Sequence, residues 1–198
     1  MLVLYTAFDP ITAVLADCAR KFLARHPGAA TGVLDPNSPD WHAPHPWVGM
    51  RPNKPLLFFG HGIQSPAAFV SQIQTAFLDA SVNHLLANRF ICGICCFSDS
   101  VGQGHANLVG ATLVGYDGYL LVNTERKYAD LLSSCILAGL DQVVNGRTAR
   151  DVLVTTYKEY LKTEQDLYSG TADDCVAAPL FRGNAKTLSL AGSPHRTP

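Results

Sequence analysis

The sequence predicts one α/β domain, residues 1–198, built on a mainly parallel sheet. Three observations predict it. Short apolar runs alternate with stretches of helical spacing along most of the chain. Several of those runs are apolar throughout, as strands covered on both faces must be. The stretch between the two central runs has the length of a crossover helix. Composition agrees, with 47% hydrophobic and 16% charged residues, an ordinary globule with a substantial core.

Taken in order, Leu2 to Tyr5 read as a first strand. Asp9-Pro10 suits a helix start, and Ile11, Val14, Leu15, Cys18 and Phe22 keep helical spacing up to His26-Pro27-Gly28. Thr31 to Leu34 form a second, short strand. Between Asp35 and Lys54 proline is dense around Trp41, His42, His45, Trp47 and Met50. This composition is a loop's, roughly twenty residues long, and the two Trp suggest a packed flap. His42 and His45 are read as solvent-facing, with a lid role as the alternative. Pro55 to Phe59 is the third strand and ends abruptly in Gly60-His61-Gly62. A helical region is expected from about Pro66 to Ala87, then a fourth strand from Arg89 to Cys96. After a polar turn from Phe97 to Gly102, a short helix around His105 to Val109 leads into the fifth strand, Thr112 to Tyr116. From Glu125 to about Gly146 the chain reads as an amphipathic helix with Tyr128, Leu131, Leu132, Cys135, Ile136 and Leu140 on one side. Thr148 to Asp151 open another helix, to about Leu161, and Lys186 to Leu190 return to a strand before Gly192-Ser193-Pro194.

A formal net charge of −1 without a dense Lys/Arg patch argues against a nucleic-acid partner. The N-terminus MLVLYTAFDP lacks the features of a secretory signal, and no run approaches about 18 apolar residues, so neither export nor a membrane is expected. The expected location is the cytoplasm. Of six cysteines, Cys92, Cys95 and Cys96 share one apolar run, where adjacent side chains point to opposite faces and cannot easily cross-link. All six are read as free thiols. Cys92 and Cys95 form a C-x-x-C, but three apart in a strand their sulfurs diverge, and no second ligand pair stands at zinc spacing. No metal and no cofactor is expected.

In open α/β sheets, ligands bind outside the carboxyl ends of the strands. His61 follows the third strand and Cys95-Cys96 closes the fourth. Adjacent strands lie about 4.8 Å apart, so side chains at these ends can come within reach of one another, as a Cys/His dyad requires. The thiolate would attack a carbonyl and His61 would hand a proton to the leaving amine. The Gly62 and Cys96 N–H groups would hold the oxyanion, and the helix after Gly102 would add positive potential. Taken singly, His61 reads as a strand-end residue capping a loop, and Cys95-Cys96 as small buried residues. Their joint placement on consecutive strands favours chemistry.

Gly60-His61-Gly62 after an apolar strand, followed by a strand ending in Cys and a Gly-containing turn, resembles the caspase–gingipain–CHAT group of cysteine peptidases. Ala106 to Tyr116 is similar to the helix and strand that follow the nucleophile in CHAT-type domains. Tyr128 to Gly139 with Gly146 to Asp151 resembles their next two helices. Leu188 to Pro194 is similar to a closing L-x-G-D-P strand, with Ser193 in place of Asp. The match spans roughly Pro55 to Arg196. It implies a caspase-like three-layer α/β/α sandwich of about six mostly parallel strands with an antiparallel last strand. It also implies a cysteine endopeptidase acting on a protein or peptide substrate, in a regulated intracellular or defence setting.

Two departures matter. Cys95 occupies the position of a small residue, and Phe97-Ser98-Asp99 follows where E-T-G or Y-S-G is common. Strand alternation favours Cys96 over Cys95 as the nucleophile. Relatives that cleave after basic residues often carry an acid near the nucleophile strand, but Ile94 stands two residues before Cys96. Asp117, in Gly-Tyr-Asp-Gly, is the remaining candidate for the substrate pocket, and equally a turn residue. Asp99 either shapes the same pocket or caps the following helix. His105 opens a helix near the site. The rival function is a catalytically silent scaffold that binds a partner through the same cleft. An amidotransferase-type thiol hydrolase is disfavoured because its His follows its Cys. The sequence carries no signal for an oligomeric state.

Overall fold

The computed structural model describes residues 1–28, 54–64, 67–70, 76–78, 86–101, 103 and 110–198. In chain order its elements are β1 (Leu2–Tyr5), α1 (Pro10–Arg25), β2 (Leu56–Phe59), β3 (Gly62–Gln64), β4 (Ala67–Val70), β5 (Ala76–Leu78), β6 (Phe90–Ile94) and β7 (Thr112–Tyr116). Three long helices and a strand follow: α2 (Arg126–Val144), α3 (Ala149–Tyr168), α4 (Ala172–Thr187) and β8 (Leu188–Ala191).

Strands whose residues are apolar on both sides have no polar face to offer water, so they pair in the middle of the molecule. The main sheet runs β1-β2-β6-β7-β8. The first four strands are mutually parallel, and β8 lies antiparallel to β7 with Val114 opposite Leu190. The molecule is therefore mixed α/β with a mostly parallel sheet and an antiparallel last strand, an order compatible with a three-layer α/β/α sandwich. Of the expected strands, Thr31 to Leu34 lies outside the described residues, as do the Pro/Trp loop with His42 and His45, and His105.

Side-chain alternation divides the core into two halves. Val3, Leu57, Phe59, Cys92, Ile94, Val114 and Tyr116 point to one face, where they meet the apolar sides of the four helices. Leu2, Leu4, Leu56, Phe58, Ile91, Cys95 and Leu113 point to the other, where Phe69, Leu86 and Val101 cover them.

The helix starts are built as the sequence suggests. Asp9 caps α1 in a reciprocal box with Thr12, and Pro10 occupies the first turn. Thr148 with Asp151 does the same for α3, which continues to Tyr168 rather than ending near Leu161. The sequence reading missed α4, which is capped by Thr171 with Asp174 and carries Pro179 in its interior. The last strand consequently begins at Leu188, two residues later than expected.

The helix expected from Pro66 to Ala87 is overturned where the range is described as strand, at residues 67–70 and 76–78. β3, β4 and β5 form a separate antiparallel sheet, with Gly62 opposite Phe69 and Phe69 opposite Leu78. Phe69 is buried against the main sheet and stacks on Phe58, centroids 4.5 Å apart and planes 8° apart. Such a pair adds about 1 kcal/mol beyond its buried area. The turn expected from Phe97 to Gly102 is likewise corrected, because residues 98–101 are helical.

Asp174 shows how strongly the helices are tied. Its side chain is 7% exposed, pairs with Lys127, and accepts from the Tyr128 hydroxyl at 3.0 Å and the Thr171 N–H at 3.0 Å. The Lys127 ammonium above all, then the Thr171 amide, hold its carboxyl far below the ordinary value of 3.8. A depressed carboxylate stabilises the fold above its unfolded pKa, and that stabilisation drains as pH falls below it. An Asp174→Asn variant should therefore melt below wild type at about pH 7, with the gap narrowing towards about pH 2. Thermal unfolding followed by circular dichroism across that range checks it; a gap constant with pH would refute the assignment.

Candidate active site

The carboxyl ends of β1, β2, β6 and β7 lie side by side, and the segments leaving them carry the polar side chains. Backbone bonds bind these ends together: Thr6 N–H to Phe59 O at 3.0 Å, Gly60 N–H to Ile94 O at 3.3 Å, and Phe97 N–H to Gly118 O at 2.9 Å. Phe59 pairs with Ile94 in register, so the chain continues with Gly60–Gly62 running beside Cys95–Cys96.

The approach is closest at Gly62. A Cβ placed there would land on the Cys96 carbonyl oxygen and 3.0 Å from the Cys95 Sγ. Only a residue without a side chain allows these two backbones to meet.

His61 is half-buried, 29% exposed at the side chain. Its Nε2 lies 2.7 Å from the Asp9 Oδ2, and the Phe8 ring flanks it at 5.3 Å. Cys96 is also half-buried and packs against the helix-side core, whereas Cys95 is fully buried in the opposite half. The Cys96 Sγ accepts the Leu120 N–H at 3.4 Å. Burial pushes the Cys96 thiol up, only partly offset by the Leu120 backbone; burial pushes the Cys95 thiol far higher. Among the described residues no hydrogen bond joins His61 to Cys96. The imidazole leans to the β1 side and the thiol to the β7 side.

The turn after Cys96 is under tension. Phe97 has φ 51°, a left-handed conformation that costs a side-chain-bearing residue about 1 kcal/mol. It is held by its N–H bond to Gly118 and by the edge of its ring against Tyr119, centroids 4.7 Å apart. Ser98 then folds back over the sheet, donating to Gly93 O at 2.9 Å and accepting from Tyr116 N–H at 2.7 Å. Gly93 and Gly115 leave the space it fills, since a Cβ on either would collide with it. Backbone strain of this kind concentrates at functional sites.

The two acidic candidates separate. Asp117 is exposed in the bend after β7, its N–H donated to Thr187 O at 2.8 Å. Asp99 is 3% exposed; its Oδ2 accepts from Gln103 Nε2 at 2.5 Å, while its Oδ1 is buried and has no partner among the described residues. It lies inside the short helix rather than at its cap.

Three contributors escaped the sequence reading. Asp9 was legible as a helix start, yet its contact with His61 depends on β1 pairing with β2. Leu120 and Ser98 act through a main-chain amide and a hydroxyl at the start of a short helix, which carry no motif. Among the described residues, no group of three or more His, Cys, Asp or Glu is placed to hold a metal ion, and no helix is long and apolar enough to cross a membrane. Compared with known proteins, the chain matches no protein-family model and no curated sequence.

Proposed function

We propose that the protein is a cysteine endopeptidase of caspase-like type, with Cys96 as nucleophile and His61 as general acid and base. One observation carries this reading. His61 and Cys96 leave neighbouring parallel strands at their carboxyl ends, with Gly62 packed directly on the Cys96 carbonyl. Because burial keeps the Cys96 thiol protonated at neutral pH, the reaction begins with proton transfer rather than from a resting ion pair.

The Sγ–H proton passes to His61 as Sγ bonds to the substrate carbonyl carbon, and the N–H groups of Gly62 and Cys96 receive the oxyanion. The intermediate collapses, His61 returns the proton to the leaving amine, and water hydrolyses the thioester. Asp117, exposed at the rim, is the acid available to a basic substrate side chain. Asp99, buried, acts on the same pocket only from beneath.

The second reading, a silent scaffold that binds a protein partner, is favoured by the separate partners of imidazole and thiol. Labelling with a thiol-directed peptide electrophile separates the two. The peptidase reading expects labelling that disappears in Cys96→Ala and persists in Cys95→Ala. Labelling indifferent to both substitutions rejects it.

A further inference from the structure

We propose that Asp9 is the positioning residue of His61, holding its imidazole as the Nε2–H tautomer so that Nδ1 is the nitrogen that exchanges protons with thiol and substrate. This rests on the Cys96–His61 reading above and adds to it a third side chain, from the cap of α1, an element that contributes neither of the other two.

The geometry leaves little freedom. An ionised carboxylate only accepts hydrogen bonds, so at 2.7 Å from Oδ2 the His61 Nε2 must be the donor. Asp9 is ionised at neutral pH. Burial raises its pKa, but the Thr12 amide and the bond to His61 outweigh it, and the net shift is downward. Its position at the amino end of α1 favours negative charge for the same reason that capping does.

The two carboxylate oxygens are divided between two tasks. Oδ1 accepts from the Thr12 N–H at 2.7 Å and the Thr12 hydroxyl at 2.9 Å, which fixes the plane of the group. Oδ2 is then aimed at the imidazole. The helix that holds Asp9 is itself anchored by Leu15, Ala16, Cys18 and Phe22, all buried. His61 therefore takes its orientation from the core, and Phe8 closes one side of the ring. A supporting residue locked by its own packing is what keeps a reacting group in place.

Asp9→Asn tests this without dismantling the helix. Asparagine caps as well as aspartate and keeps an oxygen for Thr12. Its amide N–H₂, however, then faces Nε2 and makes that nitrogen an acceptor. Nitrogen-15 correlation spectra of full-length, labelled protein should show His61 as Nε2–H in wild type and Nδ1–H in the variant. Peptide turnover should fall by about 10–100-fold in kcat with KM nearly unchanged, since the substrate is not touched. Nδ1–H in wild type, an unchanged tautomer in the variant, or an unchanged kcat at native Tm overturns the proposal. The spectra need no turnover. A wild type that cleaves nothing yet switches tautomer on substitution supports the role of Asp9 and counts against the peptidase reading alone.

Discussion

In a His61→Ala variant, peptide hydrolysis is expected to fall by about 10³-fold or more in kcat, the scale of a lost general acid–base group. The reason lies in the state of the thiol. Burial raises the Cys96 pKa, so at neutral pH the sulfur carries its proton and needs a base before it can attack. The Leu120 N–H, at 3.4 Å, can stabilise a thiolate once formed but cannot remove a proton. Removing His61 leaves the fold almost untouched, because the side chain is 29% exposed and Asp9 keeps its cap bonds to Thr12. Tm should therefore stay within a few degrees of wild type. Steady-state kinetics beside thermal melting checks both halves, and full activity in this variant would remove His61 from the mechanism.

Gly62→Ala is expected to damage stability and activity together. The added methyl meets the Cys96 carbonyl oxygen and the Cys95 Sγ, the first of which is backbone and cannot swing away. Relief requires the His61 and Cys96 segments to part. Overpacking of this kind costs roughly 1–3 kcal/mol. In a chain of this size each kcal/mol lowers Tm by about 2–4 °C. A displacement of about 1 Å between reacting groups costs about 10²-fold in rate. Calorimetry and the same hydrolysis assay measure the two effects, and a variant with native Tm and native kcat would show that the contact is dispensable.

The two substitutions probe different parts of what was legible in the chain. His61 and Cys96 stood out because each follows a run that is apolar on both faces, and such runs announce central strands and hence their ends. The choice between Cys95 and Cys96 followed from alternation alone, and the structure places their side chains in opposite halves of the core. The sequence put Asp117 first for the substrate pocket and left Asp99 between pocket and helix cap; burial separates them, because Asp117 lies in an exposed bend and Asp99 is buried within the short helix after Phe97.

Two elements were misread for identifiable reasons. Phe69, Ile73 and Phe77 are spaced four apart, which fits a helix face as well as it fits strands. Pairing with neighbouring strands, and the stacking of Phe69 on Phe58, decided in favour of β4. In α4 the Pro179 interruption and the small residues around it obscured the period, although Thr171 with Asp174 marks its start clearly.

By itself, then, the sequence determined the sheet's central strands, the starts of α1, α2 and α3, and His61 and Cys96 as the candidate pair at neighbouring strand ends. These follow from local rules: burial pattern, capping chemistry and alternation each act over a few neighbouring residues. Tertiary structure decided everything that depends on which strands lie side by side. It brought Asp9 to His61 across 52 positions of chain and Leu120 to Cys96 across 24, and it seated Gly62 on the Cys96 carbonyl. Contacts of that separation arise from sheet order, and sheet order is a property of the packed core rather than of any short stretch of sequence.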